Sequence, residues 1–530
     1  MEAVDYFLKN WTGNKKIGDV MLDELLSLDG VPLWWFFERI FVYHILPRQI
    51  NTFEEIEKRE KLSPFKKIKL KASAQIIKKM IISNENKKLK YFGNKKFKSP
   101  DHKPTGDQNK VLFLSYTNHI LPNGDLFRIQ KIINEVKEKH FLEPFVLFAD
   151  TLSSRNYKKL NDKNTIYQYS DNDINKKAKT FSNDMYEKWK SISDSKKEEL
   201  LTKGDLSYWP YLKHAFEVFY SKEFLELLYI YYESAKKTII SEKIKVVVLT
   251  SQNGIFDKCI IAAAQELNVP VLRLQHGIGE CLIPYHPFDK YYKLIFSEEV
   301  KRNLMNVGWP EEQLIITGPI IFDEINNYIL PKKNKEKNIF IATAPLITES
   351  GGGKKYYQKI ESIMKDIKKI KNVKVILKVH PAEHPIEKTI KKYRNCARKV
   401  DLRVKIYGTD ISRKEFYQLF QWCDVFVNFG STTALEAMII GRPAVTIKAI
   451  DFPAMYNWME ENKIAPVIEY RNNKEEHEEL VSAIKKSLEG NSEFVENIKE
   501  FIKKKCGIIE GNAYKKTSVI IKQFYKEQEK

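Results

Sequence analysis

The chain contains only five cysteines in 530 residues, and no two of them are spaced as a CxxC pair. The sequence therefore predicts neither a disulfide framework nor a zinc site built from paired cysteines. Sparse, scattered cysteine is typical of proteins in a reducing compartment, so we expect a cytoplasmic protein.

The sequence also has no apolar run that approaches the roughly 20 residues a membrane-spanning helix needs. The best candidate, residues 31–46, is interrupted by Glu38 and Arg39. The first residues include acidic Glu2 and Asp5 and no basic cluster ahead of an apolar stretch. We therefore expect no membrane span and no secretory signal.

Acidic residues are scarce between Lys61 and Lys110, where fifteen lysines face three carboxylates. This segment supplies a net +12 of the formal charge of +20. Such a basic patch attracts anionic lipid, nucleic acid or another anionic polymer. A lysine-rich composition that serves only solubility is the alternative.

Two stretches stand out in the N-terminal region, which we place at residues 1–105 and expect to be mainly helical. Residues 32–47, PLWWFFERIFVYHILP, predict an aromatic helix bounded by prolines, and a lysine-rich amphipathic stretch follows at 64–82. Tryptophan and tyrosine favour the membrane interface, so residues 31–110 could dock on an anionic membrane. For the aromatic helix itself, packing into the protein core is the favoured interpretation.

Predicted strands alternate with predicted helices from residue 110 onward, which indicates parallel sheets covered on both faces. The sequence thus predicts an α/β fold of two Rossmann-like lobes, at 106–325 and 326–530, the second ending in C-terminal helices. The predicted strands lie at 111–114, 145–148, 165–169, 244–250, 269–274, 291–297, 314–319, 338–342, 373–379, 403–407, 424–428 and 444–447.

Three polar motifs follow predicted strands, at the sheet edge where parallel sheets bind ligands. They are Gln275-His276-Gly277, Lys378-Val379-His380-Pro381 and Gly430-Ser431-Thr432-Thr433. If the two lobes face one another, the first motif lies across a cleft from the other two.

The residue types in these motifs differ in the chemistry they can perform. A histidine with an ordinary pKa of about 6.5 can take a proton from a hydroxyl at neutral pH, and Gly277 leaves access to His276. A hydrogen-bonded structural histidine is the commoner role, but the position of His276 favours a base. Lys378 beside His380 favours an anion-binding site rather than a second base.

The small-residue turn at 430–433 ends a predicted strand and begins a predicted helix. Its hydroxyls and backbone N–H groups can bind phosphate, and Glu436 in the first turn can reach a sugar hydroxyl. An ordinary capped helix is the alternative. Weaker candidates are His119 and Asp125, after the first strand, which with Gln275 could contact an acceptor. The loop at 351–354, GGGK, lacks the spacing of a phosphate-binding P-loop.

These motifs occur in an order that resembles a known class of enzymes. QHG at 275, FSEEVKRNLMNVGWPEEQLIITGP at 296–319, KVHP at 378 and GSTTALEAMIIGRP at 430 are similar to segments of the two-lobed GT-B glycosyltransferases. Within that class they most resemble capsule polysaccharide transferases and CDP-glycerol glycerophosphotransferases. The resemblance covers residues 240–450, and 110–170 by pattern alone.

The resemblance implies a GT-B enzyme that moves a sugar from a nucleotide-activated donor to a surface-glycan or lipid-linked acceptor and needs no metal or other cofactor. His276 takes the place of the general base, His380 that of a donor-phosphate contact, and Ser431, Thr432 and Thr433 that of the hydroxyls that hold donor phosphate. Glu436 stands where many such enzymes bind ribose.

Several alternatives to a glycosyltransferase remain open. Transfer of a polyol phosphate from a CDP-linked donor is the main one, and a nucleotide-sugar 2-epimerase is more remote. Sialyl- and Kdo-transferases carry an acidic residue before glycine where this chain has His276-Gly277, which disfavours a CMP-linked keto-sugar. A non-catalytic binder of anionic polymers is the rival from another class, although we expect no nucleic-acid partner.

Overall fold

The computed structural model describes most of the chain, and all structural statements below concern that part. The described residues are 7, 11, 15–42, 64–94, 109–121, 123–150, 156–250, 254–277, 284–328, 337–344, 354–380, 383, 386–408, 411–448, 457–470, 474–489 and 494–529.

The first lobe is built on a six-stranded parallel sheet. Apolar residues dominate these strands because helices cover both faces, and every residue of the first strand is buried. The sheet order is β6-β5-β4-β3-β1-β2. The strands are β1 Lys110–Tyr116, β2 Glu143–Ala149, β3 Ile244–Leu249, β4 Val271–Leu274, β5 Tyr292–Ile295 and β6 Leu314–Ile316.

The second lobe is built on another six-stranded parallel sheet, in the Rossmann order β9-β8-β7-β10-β11-β12. The predicted α/β fold of two Rossmann-like lobes in the GT-B arrangement is confirmed. The strands are β7 Lys337–Ala342, β8 Val373–Lys378, β9 Val404–Tyr407, β10 Val425–Asn428, β11 Ala444–Lys448 and β12 Val467–Glu469.

Helices of five or more residues surround both sheets. Those before residue 320 are α1 Leu33–Ile40, α2 Pro64–Asn94, α3 Gln130–His140, α4 Asn172–Ser191, α5 Asp194–Leu200, α6 Trp209–Phe219, α7 Lys222–Ser241, α8 Ile255–Glu266 and α9 Glu298–Asn306. Those after it are α10 Lys354–Lys368, α11 Ile386–Lys399, α12 Arg413–Trp422, α13 Thr433–Ile439, α14 Asn457–Glu461, α15 Lys474–Glu489, α16 Val495–Cys506 and α17 Ala513–Glu527.

The aromatic helix α1 is part of the core of the first lobe. Trp34, Trp35 and Phe37 are buried, and the Phe37 ring stacks on Phe219 with centroids 4.7 Å apart. The Trp35 indole donates a hydrogen bond to buried Asp289 at 3.0 Å. These aromatic side chains are therefore not available to a membrane interface, in agreement with the favoured interpretation that the aromatic helix packs into the core.

Four buried charges fix α1 to helix α8 and to the segment that precedes β5. Asp289 accepts from Lys258 at 3.0 Å and from Arg39 at 3.4 Å, while Lys258 also contacts Glu38 at 3.4 Å. Burial alone would raise the pKa of Asp289, but the charges of Lys258 and Arg39 hold it well below its usual range. Since removing one member leaves the others buried and uncompensated, these pairs hold α1 in one position.

Two local predictions are wrong. Residues 165–169 form a 3₁₀ helix, Ile166–Tyr169, instead of a strand, because the Thr165 backbone N–H donates to the Gln168 side chain at 2.8 Å and closes a helical turn. The sequence pattern also predicts a helix from Asp125 to Val136 after β1. That helix begins at Gln130 instead, because Leu126 first pairs with Ile120 in a β-bridge.

The chain ends by returning to the first lobe. The rings of Phe524 in α17 and Tyr292 in β5 lie 4.4 Å apart, and the Tyr525 hydroxyl donates to the Asn109 carbonyl at 3.2 Å. The last helix of the segment 326–530 thus packs on the other lobe. Within the described part of the chain, no helix combines the length and the apolar character needed to cross a membrane.

Candidate functional site

The turn after β4 and the turn after β10 meet at the cleft between the two sheets. A Cβ placed on Gly277 would lie 3.7 Å from Cγ2 of Thr432. The structure therefore brings together the first and third motifs, which are separated by about 150 residues in the chain. A ligand at this position contacts both lobes.

The side chain of Asn428 shapes the turn on the second lobe. Its Oδ1 accepts hydrogen bonds from the backbone N–H groups of Gly430 at 2.8 Å and Ser431 at 3.2 Å. Gly430 has a φ of 87°, which suits glycine. Because these two N–H groups already have a partner inside the protein, a phosphate here would be bound by hydroxyls, of which that of exposed Thr432 is the most accessible.

The remaining hydroxyls of this turn bond to each other. Ser431 donates to Thr433 at 2.8 Å and accepts from the Thr433 backbone at 3.2 Å. Glu436 is buried and accepts from Arg413 at 2.5 Å, and the same guanidinium donates to the Tyr417 hydroxyl. A ribose hydroxyl at Glu436 would share this carboxylate with Arg413.

The turn after β8 is organised by buried Glu383. The backbone N–H of His380 donates to Thr343 Oγ1 at 2.9 Å and to Glu383 Oε1 at 3.1 Å, while Tyr393 donates to Glu383 Oε2 at 2.5 Å. Burial and the nearby charge of Lys378 lower the pKa of His380 to about 4. His380 is therefore a neutral hydrogen-bonding group at pH 7. Pro381 lies outside the described residues.

His276 faces the cleft from the first lobe. The residue is exposed to solvent, and protein atoms surround part of its ring. Arg128 Nη1 donates to Nδ1 at 2.5 Å, and the ring donates to the backbone of Thr250. Burial and the charges of Arg128 and Arg273 lower the pKa of His276 to about 3. The ring is therefore neutral at pH 7, with the proton on Nε2.

His119 lies beside His276 and Arg128. It is buried, its Nδ1 is 3.4 Å from the Thr250 hydroxyl, and burial followed by the charge of Arg128 lowers its pKa to about 3. Asp125 lies apart from this group, because its exposed carboxylate accepts from Asn123 in a surface turn.

Gln275 supports the shape of the turn at Gly277. Its Nε2 donates to the Gly277 carbonyl at 3.0 Å, and its Oε1 accepts from the Phe296 backbone at 2.9 Å. Both polar ends of the Gln275 side chain thus bond within the protein, and the residue is buried.

No sequence pattern points to Arg128, which contacts His276 directly. Arg128 has a φ of 74°, a left-handed conformation that costs energy for a residue other than glycine and that is often found at functional sites. Its guanidinium lies 4.8 Å from the centroid of the Phe127 ring, and Arg413 of the second lobe lies 5.1 Å from the same ring. Phe127 therefore links an arginine from each lobe.

No group of three or more metal-ligating side chains occurs among the residues the structure describes.

No protein-family model matches the chain, and no curated protein matches its sequence. Three solved structures show the range of its structural likeness. The S. aureus MnaA–UDP complex has a TM-score of 0.48 at 14% identity and covers 79% of this chain and 97% of that chain. UDP-GlcNAc 2-epimerase from Neisseria meningitidis, bound to UDP-GlcNAc, has a TM-score of 0.46 at 13% identity and covers 79% of this chain and 100% of that chain. MurG from Acinetobacter baumannii has a TM-score of 0.41 at 13% identity and covers 78% of this chain and 99% of that chain.

Likeness at this level says nothing about the reaction of this chain. The fold rests on its own sheet order, and the function must be argued from its own residues.

Proposed function

We propose that this protein is a GT-B glycosyltransferase that moves a sugar from a nucleotide-activated donor to a hydroxyl of a surface-glycan or lipid-linked acceptor, without a metal. The observation that supports this most is the short distance between the Gly277 turn and the Thr432 turn. It puts a neutral histidine and a cluster of hydroxyls on opposite sides of one cleft. We expect the protein to act in the cytoplasm, at the inner face of the membrane.

His276 serves as the general base in this proposal. Its Nδ1 takes the proton of the acceptor hydroxyl, the acceptor oxygen bonds to the anomeric carbon, and the bond from that carbon to the donor phosphate breaks. Arg128 competes for Nδ1 in the ligand-free protein. Donor phosphate attracts the guanidinium and releases Nδ1, which also raises the pKa of His276.

The second lobe holds the departing phosphate. Lys378 supplies positive charge, His380 supplies a neutral hydrogen bond, and the hydroxyls of 431–433 supply further donors. Glu436 binds a ribose hydroxyl while it remains paired with Arg413.

A thermal-unfolding panel of UDP-, GDP-, CMP- and CDP-linked compounds tests the proposal, followed by product analysis with the stabilising donor. Ligand at a hundred times its Kd stabilises a protein by about 2.7 kcal/mol, which such a panel detects. If CDP-glycerol stabilises the protein and the product carries a transferred polyol phosphate, the protein is a polyol-phosphate transferase and not a glycosyltransferase. Conversion of UDP-GlcNAc without any acceptor would indicate an epimerase. No stabilisation by any nucleotide, with salt-sensitive RNA binding that survives changes at His276 and His380, would contradict an enzyme.

A further inference from the structure

Helix α2 presents apolar side chains on two opposite sides. One side packs on the first lobe through buried Leu70, Ala74, Ile81 and Phe92. The other side carries Ile68, Ile76 and Met80, which are 68%, 59% and 50% exposed. Because residues four apart share a face of a helix, these three residues form a stripe roughly 18 Å long. We call Ile68, Ile76 and Met80 the apolar stripe.

Lysines flank the apolar stripe. Lys69, Lys79, Lys87 and Lys90 are exposed on the same side of α2. Aliphatic side chains between lysine ammonium groups are typical of helices that lie in the head-group region of an anionic membrane. Nucleic acid would use the lysines but would leave the aliphatic side chains in water.

A cavity of about 630 Å³ lies beside the same helix. Gln75 and Lys78 of α2 line it, together with Trp189 of α4, Lys197 of α5 and Ser221 and Lys222 at the start of α7. Lys78 pairs with Glu223 at 2.9 Å, and Lys222 pairs with Glu187 at 3.4 Å.

Lys197 is the buried lysine of this cavity, and the carboxylates of Asp194 and Glu217 act on its charge without forming an ion pair with it. The residue is only 7% exposed, and its ammonium lies 4.6 Å from the centroid of the Trp189 ring. Among the described residues, its ammonium has no hydrogen bond and no ion pair. Burial lowers the pKa of Lys197. Four lysines line the cavity against Glu217 and Glu223, so the lining carries a net positive charge that is suited to an anion.

We propose that this face of the first lobe docks on an anionic lipid bilayer, with the apolar stripe among the lipid head groups and the Lys197 cavity around one lipid phosphate. The two features are on or beside one helix, and a phospholipid supplies an apolar phase and a phosphodiester together. The proposal is independent of the reaction at His276. Its failure would leave nucleotide binding unchanged.

Flotation of the full chain with vesicles tests the apolar stripe. The vesicles contain phosphatidylcholine alone or phosphatidylcholine with phosphatidylglycerol. The variant I68S/I76S/M80S should lose at least about tenfold in binding to the anionic vesicles, since three exposed apolar side chains no longer leave water. Ile508→Ser, at an exposed isoleucine elsewhere, is the matched control and should bind as before. Undiminished vesicle binding by the triple variant would overturn the proposal. A dimer of the wild-type protein that only the triple variant disrupts would also overturn it.

Lys197→Met tests the cavity. It keeps the length of the side chain and removes the charge, so we expect binding to anionic vesicles to fall toward that to phosphatidylcholine alone. The unfolding temperature should stay equal or rise, because a buried charge is removed. Lys474→Met, at an exposed lysine, is the control. Inorganic phosphate that binds the wild type and not Lys197→Met, with vesicle binding unaffected, would mean a free-phosphate site. If RNA binding depends on Lys197 and the apolar stripe while vesicle binding does not, lipid docking is also refuted.

Discussion

The two sides of the cleft position their polar groups in different ways. On the first lobe, a cation positions the polar groups, because the Arg128 side chain contacts His276. Burial and then the charge of Arg128 lower the pKa of both His276 and His119. On the second lobe, buried acceptors do it, because Asn428 and Glu383 bind backbone N–H groups and thereby shape two turns. Changes on the first side should therefore alter the rate and its pH dependence, and changes on the second side should alter donor affinity.

Loss of His276 should have the largest effect. His276→Ala removes the proposed base, and general bases contribute about a hundredfold to ten-thousandfold. We expect kcat to fall by that order while donor still raises the unfolding temperature as in the wild type. Steady-state kinetics and thermal unfolding measure the two quantities. His214→Ala, at a histidine on helix α6, is the control, and wild-type turnover by His276→Ala would exclude the base role.

Loss of Asn428 should affect the second lobe, where buried acceptors shape the turns. Asn428→Ala leaves the buried N–H groups of Gly430 and Ser431 without their acceptor, which costs about 1–3 kcal/mol in the free energy of unfolding. The turn then loses its shape, so KM for the donor should rise about tenfold while kcat changes little. Asn134→Ala, at an exposed asparagine on α3, should change neither quantity. A fall in kcat without a rise in KM would contradict the predicted difference between the two lobes.

The sequence identified the elements of the site better than their contacts. Apolar runs place β8 and β10 almost as the structure has them, because periodicity is a local property. The three motifs after the strands follow from the same local pattern.

The contacts of the site depend on distant residues, which periodicity does not report. Glu436 is paired with Arg413, 23 residues away, and Arg128 reaches His276 across 148 residues. The left-handed backbone of Arg128 has no sequence signal, since arginine does not favour it. Asn428 is the exception, because a polar residue that ends an apolar strand is visible in the sequence.

Removal of the charge of Arg128 should change the pH dependence more than the rate at neutral pH. A base must be neutral, and the lowered pKa of His276 keeps it neutral down to about pH 3 in the ligand-free protein. Because kcat/KM for the donor reports the ligand-free protein, this quantity should not fall in the wild type as pH decreases through 6.5. Arg128→Gln removes one cause of the lowered pKa, which should move the acidic limb toward 6.5 although burial persists. The kcat/KM profile from pH 4 to 8 measures this. Arg403→Gln, at an exposed arginine, should keep the wild-type profile, and an unshifted limb in Arg128→Gln would mean that Arg128 does not tune His276.

Substitution at Gly277 should have the smallest effect, although this residue is where the two sides meet. The nearest atom to an added Cβ is Thr432 Cγ2 at 3.7 Å, an ordinary van der Waals contact, so Gly277→Ala should keep kcat and KM within about threefold. Gly254→Ala is the contrasting variant, because its Cβ would lie 2.7 Å from Asp257 Oδ2 and 2.8 Å from the Tyr116 hydroxyl. It should lower the unfolding temperature measurably, since the buried bond between those two side chains must shift. If Gly277→Ala were instead as damaging as His276→Ala, the cleft would have to close more tightly around the substrates than the ligand-free structure does.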